Sequence, residues 1–566
     1  MSKRLWLSLA MMAAGAAAAD TGIAVNQVGW LPGAAKWVNA PEGKATRFRV
    51  VKAGTDTVVL RGTLGAARVW EPSGEPVRLA DLSALRQPGD YEVVIDGLPR
   101  SPRVHIAPDA YNTLTAAALK AFYFNRASTP LLPAHAGPWA RAAGHPDDHV
   151  LVHASAASAE RPEGTVIAAP KGWYDAGDYN KYVVNSGIST YTLLAAYEHY
   201  PAYFKDQKVK LPESGNGIPD ILNEAMWNLE WMLTMQDPAD GGVYHKLTNL
   251  RFDGVVMPDQ ATTPRYVVQK GTAAALDFAA VMATASRVYA PFEKQHPGLS
   301  KRMLAAAEAA FAWAKANPTK TYKQPADVAT GAYPDENLAD EFSWAGAELY
   351  ISTGKDEYYK AFDNGGKPDV PSWSDVRTLG YISLAQHLKQ LGPKADRKLI
   401  TAGVTDLAES LRKEWSGSAY KIAMKKADFV WGSSAVVLNQ GMVLLQAYRL
   451  THQKEYLQAA QSSLDYALGR NATGYSFVTG YGAKPAMHPH HRPSEADTVA
   501  APVPGFLVGG PQSGQQDKAD CKVPYPSAIT AKSYLDDHCS YASNEVAINW
   551  NAPLVYVSAG VDVLTK

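Results

Sequence analysis

Val436-Val437-Leu438-Asn439-Gln440-Gly441-Met442-Val443-Leu444-Leu445-Gln446-Ala447-Tyr448-Arg449-Leu450 is apolar almost all round, as a helix buried on every side must be. The next helix carries Leu457, Ala460, Leu464 and Ala467 on one stripe only, so its other face meets water. Fully buried helices alternating with half-buried ones predict two concentric helical layers. Further towards the N-terminus, Leu114, Ala118 and Phe122 lie at i, i+4, i+8 on one helical face. Ser214-Gly215-Asn216-Gly217-Ile218-Pro219-Asp220 opens a long helix through Glu224, Trp227 and Trp231 to Gln236. Pro219 at its start and Gly241-Gly242 past its end supply the usual start and stop chemistry. No strict repeat is visible, which disfavours a solenoid.

Before Pro108 the pattern changes to short strands. Phe48-Arg49-Val50-Val51 and Thr57-Val58-Val59-Leu60 flank Ala53-Gly54-Thr55-Asp56 as a hairpin, and Gly89 to Gly97 is another strand bounded by turns. Such spacing predicts a small β-sandwich. The first residues read as a secretory leader: Lys3-Arg4, an apolar run Leu5 to Ala18, and an A-x-A site before Asp20. The expected organisation is a signal peptide at 1–19, a sandwich at 20–107 and a helical domain at 108–566. The mature protein is expected to be secreted or periplasmic, with no membrane span. In that oxidising compartment Cys521 and Cys539, the two cysteines of the chain, are expected to form a disulfide.

Lys+Arg and Asp+Glu are equal at 55 each, which argues against a nucleic-acid partner and against strongly charged polymers. The 14 Trp and 29 Tyr suit a neutral polysaccharide, whose apolar C–H faces stack on aromatic rings, although much of any aromatic complement is core.

Three constellations carry chemistry. In Gly172-Trp173-Tyr174-Asp175-Ala176-Gly177-Asp178-Tyr179-Asn180-Lys181-Tyr182, two carboxylates three apart can hold a water and accept its proton. An Asp-rich turn capping a helix that begins near Val184 reads equally well. In Ser543-Asn544-Glu545-Val546-Ala547-Ile548-Asn549-Trp550, a lone Glu in apolar surroundings suits a protonated acid; taken alone, a capping Glu is the simpler reading. His488-Pro489-His490-His491-Arg492 has no zinc spacing and is better suited to donating hydrogen bonds to sugar hydroxyls; a surface loop with incidental histidines competes. No nucleophile elbow, phosphate loop or dinucleotide fingerprint is present.

In series, these segments resemble glycoside hydrolase family 9, the cellulases with an (α/α)6 barrel, over almost the whole length. Val25-Asn26-Gln27-Val28-Gly29-Trp30-Leu31-Pro32 resembles the opening of that family's immunoglobulin-like module. Asn216 to Asp220, Gly241 to Lys246, Asp340-Glu341-Phe342-Ser343-Trp344 and Leu468-Gly469-Arg470-Asn471 resemble further family segments. The resemblance implies a mainly α protein, an (α/α)6 barrel preceded by an immunoglobulin-like β-sandwich. It implies inverting hydrolysis of β-1,4-glucosidic bonds, with Asp178 as base, Asp175 holding the water and Glu545 as acid. His490 and Arg492 fall where the family grips the sugar, and His245 and Tyr541 are further expected contacts. Inversion implies an acid–base separation of roughly 6.5–9.5 Å.

An endoglucanase acting on cellulose-type or mixed-linkage β-glucan is the leading expectation. An exo-acting cellodextrinase or glucosaminidase, a xyloglucanase and a non-catalytic glycan binder are the alternatives. The chemistry requires no cofactor. The family often carries structural calcium, but no contiguous loop has calcium-ligand spacing, so no metal ligands are assigned. A monomer is expected. Departures occur in Trp431-Gly432-Ser433-Ser434, which has Ser where members usually carry Asn, in Asn471-Ala472-Thr473, which lacks the customary Pro, and at Gln512, where Asn is common. The insertion from Ala134 to Pro170 precedes the Asp pair and is placed to lie over one end of the cleft, which favours trimming of chain ends.

Overall fold

The computed structural model describes residues 22–566; the leader lies outside the described residues. Seven strands form the N-terminal module in two antiparallel sheets: β1 (Trp37–Pro41), β2 (Arg47–Lys52), β3 (Val58–Thr63), β4 (Arg68–Trp70), β5 (Glu75–Asp81), β6 (Gly89–Val94) and β7 (Val104–Ile106). One sheet has the order β1-β5-β4 and the other β3-β2-β6-β7. β2 and β3 are the hairpin read from sequence, closed by Thr57 O accepting from Lys52 N at 3.0 Å.

Among the described residues, the twelve helices that form the barrel follow in strict alternation. The outer six are α1 (Asn112–Phe124), α3 (Asp220–Thr234), α5 (Leu299–Ala316), α7 (Asp356–Phe362), α9 (Arg397–Gly417) and α11 (Lys454–Ala467). The inner six are α2 (Val183–His199), α4 (Thr272–Tyr289), α6 (Ala339–Thr353), α8 (Arg377–Gln386), α10 (Ser433–Thr451) and α12 (Ile548–Thr565). Each inner helix packs on the next, and α12 closes the ring against α2. This is an (α/α)6 barrel. Burial follows the layers. α4 is buried along almost its whole length, whereas α9 buries one stripe, Ile400, Val404, Ala408, Leu411 and Trp415. The stripe repeats every three or four residues, as one face of a helix must.

The sandwich sits directly on the barrel. Asn26 Nδ2 donates to Asp465 on α11 at 2.8 Å, Arg470 Nη1 donates to Asn39 on β1 at 2.9 Å, and Trp37 meets Trp415 edge-on. A small sheet gathers at one end of the barrel: β10 (Lys181–Tyr182), β11 (Lys246–Thr248), β12 (Tyr266–Val267), β8 (Val150–Val152) and β9 (Val166–Ile167), in that spatial order. The insertion supplies β8 and β9, at the edge away from the Asp loop. It braces that loop through Asp147, whose carboxylate pairs with Lys181 Nζ at 2.7 Å and Arg265 Nε at 3.2 Å, all three nearly fully buried. Among the described residues no helix is long and apolar enough to cross a membrane.

Candidate active site

Asp175, Asp178 and Glu545 converge around Gly177. The loop before β10 is a tight turn in which Asn180 O accepts from Asp175 N at 3.0 Å and Asp178 Oδ2 accepts from Asn180 N at 3.2 Å. The Asn180 side chain is fixed in orientation because its Oδ1 accepts from Thr248 Oγ1 (3.0 Å) and Asn249 N (2.9 Å). Its Nδ2 must therefore face Asp178, to which it donates. Asp175 is fully buried; it accepts from Asn185 Nδ2, one turn into α2, at 3.0 and 3.1 Å and from Tyr333 OH at 2.8 Å.

Burial, reinforced by the neighbouring Asp178, pushes the Asp175 carboxyl up to about 8 despite the donors Tyr333 and Asn185. Two like charges in one volume cannot both ionise easily, which favours the proton on Asp175. Tyr333 holds φ of 46°, a left-handed conformation that bulky residues rarely adopt. It is wedged edge-on between Tyr182 and Trp373. Such strain persists where the surroundings over-determine a side chain, as they do at Asp175.

Glu545 arrives from the far end of the chain on a short extended link before α12. Its carbonyl accepts from Gly509 N at 2.9 Å, and Asn544 O accepts from His490 N at 2.8 Å. Three residues on, Ile548 N donates to Asp175 O at 2.8 Å, which ties the acid segment to the Asp loop. The Glu545 carboxyl accepts from Gly177 N at 3.3 Å. Burial, then Asp178, holds its pKa well above the ordinary carboxylate range, which favours the protonated form that a general acid needs. A Cβ at Gly177 would collide with the carbonyl of His490, so this close approach requires glycine.

The remaining expected contacts divide. His490 Nδ1 lies 2.6 Å from the carbonyl of His538, which can only accept, so Nδ1 bears the proton. Burial lowers its pKa to about 4, and the neutral ring leaves Nε2 as an acceptor. The expectation of His490 as a donor is corrected accordingly. Arg492 turns inward: Nη1 donates to Gly177 O at 2.8 Å and Nε to Asp253 O at 3.0 Å. It clamps the turn between the two aspartates more than it reaches for sugar.

His245 is only 1% exposed, stacked on Tyr322 at 3.8 Å and bonded through Nε2 to Ala332 O at 2.9 Å. Its reading as a sugar contact is corrected: the residue just before β11 faces inward beneath Tyr322. Tyr541 is half-buried, bonded to Asp520 at 3.0 Å and packed on Trp431, itself 42% exposed. These two rings form an aromatic platform on the acid side. Cys521 and Cys539 are joined, with Cα atoms 5.2 Å apart.

Sequence reasoning missed Tyr333, Asn185, Asn180 and Asp536. The last accepts from Met487 N, His488 N and Asn544 Nδ2, so it ties the His490 loop to the residue before Glu545. Its only signal was its place among other acids at Asp536-Asp537, which composition alone does not separate from solvated surface.

A buried carboxyl with a raised pKa facing an aspartate pair across one backbone N–H is the equipment of a glycoside hydrolase. Residues 111–558 match the model of glycosyl hydrolase family 9, and residues 18–100 match that of the cellulase N-terminal ig-like domain. The chain is 45% identical over 561 residues to the xyloglucan-specific endo-β-1,4-glucanase of Bacteroides ovatus, covering 96% of this chain and 94% of that protein. It is 30% identical to endoglucanase D of Acetivibrio thermocellus, over 96% of this chain and 83% of the relative. The solved Bacteroides ovatus GH9 structure superposes with a TM-score of 0.90 at 42% identity, covering 96% of this chain and all of that one. The chain belongs to glycoside hydrolase family 9.

Proposed function

We propose that the protein is an inverting endo-β-1,4-glucanase acting on decorated glucans of the xyloglucan type. The observation that carries the reaction is the meeting of Glu545 with the Asp175–Asp178 turn at Gly177. Glu545 protonates the glycosidic oxygen as the bond to the anomeric carbon breaks. Water held between the aspartates attacks the opposite face and loses its proton to Asp178, while Asp175 orients it. His490 Nε2 accepts from a sugar hydroxyl. Trp431 and Tyr541 offer apolar faces to the leaving portion. The xyloglucan preference rests on the Bacteroides relative. Secretion to an oxidising compartment rests on the leader, and we take the enzyme to act as a monomer.

The direct test incubates the purified protein with xyloglucan, barley β-glucan, carboxymethylcellulose and cello-oligosaccharides, and follows the first product anomer by proton NMR. Mixed oligomers with inverted configuration, formed fastest from xyloglucan, are expected. Initial retention of configuration would sink the mechanism, and a single small product would sink the endo reading.

Calcium is a separate proposal. Asp277, Asp335, Asp340 and Glu341 lie together among the inner helices, and both oxygens of Asp277 are buried without a hydrogen-bond partner. Burial first, then neighbouring carboxylates, raises the pKa of Asp277 and Glu341 well above normal. Among the described residues no three acidic, His or Cys side chains stand in metal-ligand geometry. These acids do not form a metal site, so structural calcium is proposed without assigned ligands and away from the reaction. Calcium should raise the melting temperature of chelator-treated protein; no shift would assign shared protons instead.

A further inference from the structure

Asp517 is fully buried, makes no ion pair among the described residues, and lies outside the proton-transfer groups. Every bond its carboxylate makes points towards the segment that delivers Glu545. Oδ2 accepts from Ser540 Oγ at 2.9 Å and from Ala542 N at 2.7 Å, and Oδ1 accepts from Tyr525 OH at 2.7 Å. Tyr525 OH in turn reaches Ser543 Oγ at 3.3 Å, and Ser540 Oγ lies 2.8 Å from Ser543 Oγ. The turn that carries Asp517 closes on itself, with Asp517 O accepting from Asp520 N (2.9 Å) and Cys521 N (3.1 Å). Asp520 takes the Tyr541 hydroxyl, and the Cys521–Cys539 bridge joins the end of this turn to the residue just before Ser540. Ser540, Tyr541 and Ala542 are thus gripped from one side by a single turn, and Ser543 is reached through Tyr525 and Ser540. Asn544, held by Asp536 and the His488 carbonyl, and then Glu545 follow directly.

We propose that Asp517 is the positioning residue of the general acid: its carboxylate sets the height of the short helix Tyr541–Asn544, and so where the Glu545 carboxyl meets the glycosidic oxygen. A charged acceptor suits the task because three donors converge on it from three residues, and an amide could satisfy them only by turning an N–H towards one of them. The inference rests on the reading of Glu545 as acid, and the test separates the two.

General-acid assistance matters for a poor leaving group such as a sugar alcohol and little for 2,4-dinitrophenolate. Initial rates are compared on xyloglucan and on 2,4-dinitrophenyl β-cellobioside for wild type, Glu545→Gln, Asp517→Asn and Tyr525→Phe. Glu545→Gln should lose about 100-fold or more on the glucan and far less on the aryl glycoside. Asp517→Asn should show the same split at roughly 10- to 100-fold, and Tyr525→Phe the same split at a few-fold. Equal losses on both substrates, or no loss, would overturn the positioning role. A Glu545→Gln variant without the split would instead overturn the acid assignment. If Asp517→Asn does not fold, Tyr525→Phe and Ser540→Ala each remove one bond from the same carboxylate, and their split decides.

Discussion

The two segments that meet at Gly177 are built on opposite electrostatic plans. On the base side, donors crowd the carboxylates: Asn180 on Asp178, and Asn185 and Tyr333 on Asp175. Behind them stands a buried ion network, Lys181–Asp147–Arg265. On the acid side, the Glu545 carboxyl has one donor among the described residues, the backbone N–H of Gly177 at 3.3 Å, and its support comes from backbone bonds, hydroxyls and a disulfide. Donors stabilise a negative charge, and their scarcity in a buried setting stabilises the proton. The same functional group, a carboxyl, is thereby set to opposite tasks on the two sides of Gly177.

The largest effect that tests this contrast is chemical. Asp178→Asn should cost about 100- to 10,000-fold on glucan and an equal factor on the dinitrophenyl glycoside, because base assistance is needed whatever departs. A leaving-group split for Asp178→Asn, like that expected of Glu545→Gln, would erase the distinction between the sides. Full folding of both variants is checked by circular dichroism.

The next effect is on stability. Asp147→Ala leaves Lys181 buried without its counter-ion, and breaking such a pair costs about 3–5 kcal/mol. Opening the bridge, which spans a sequence separation of 18, in Cys521→Ser/Cys539→Ser should cost roughly 3 kcal/mol or less. Chemical denaturation of the two variants orders them. A larger loss from the cysteine pair would mean that the acid side, not the base side, carries the rigid scaffold. Joint replacement of Asp147, Lys181 and Arg265 by apolar residues of similar size should recover most of the loss, since no charge of the network is then left buried.

The layers of the barrel were legible because burial on all sides or on one stripe is written into helical periodicity, as at Val436–Leu450 against Leu457–Ala467. The aspartate pair and Glu545 were legible because carboxylates in apolar or aromatic runs stand out locally. Tyr333 was not: it reaches Asp175 across 158 residues through a loop without periodicity, and only closure of the barrel brings the two together. His245 was misread for a related reason. Its neighbours fix a strand, but not which face of the chain just before that strand turns to the core. Asp517 and Asp536 look like solvated loop acids until the disulfide and the Glu545 segment fold over them.

The smallest effect probes the base side alone. Tyr333→Phe removes one hydrogen bond to the Asp175 carboxylate while keeping the ring that packs on Tyr182 and Trp373. With the Asp175 carboxyl pushed up to about 8, the bond near neutral pH is to a largely neutral group and contributes about 0.5–1.5 kcal/mol, so a rate loss of up to roughly tenfold on glucan is expected. The sign of the pH effect follows from which form the bond favours. The Tyr333 hydroxyl donates to the ionised carboxylate and lowers its pKa, now about 8, so losing it moves that titration to higher pH. The limb of the kcat/KM profile governed by Asp175 should therefore shift upward, with Glu545 unaffected on the dinitrophenyl substrate. A rate loss with an unmoved limb would make Tyr333 a packing residue, and the donor-rich plan of the base side would rest on the two asparagines alone.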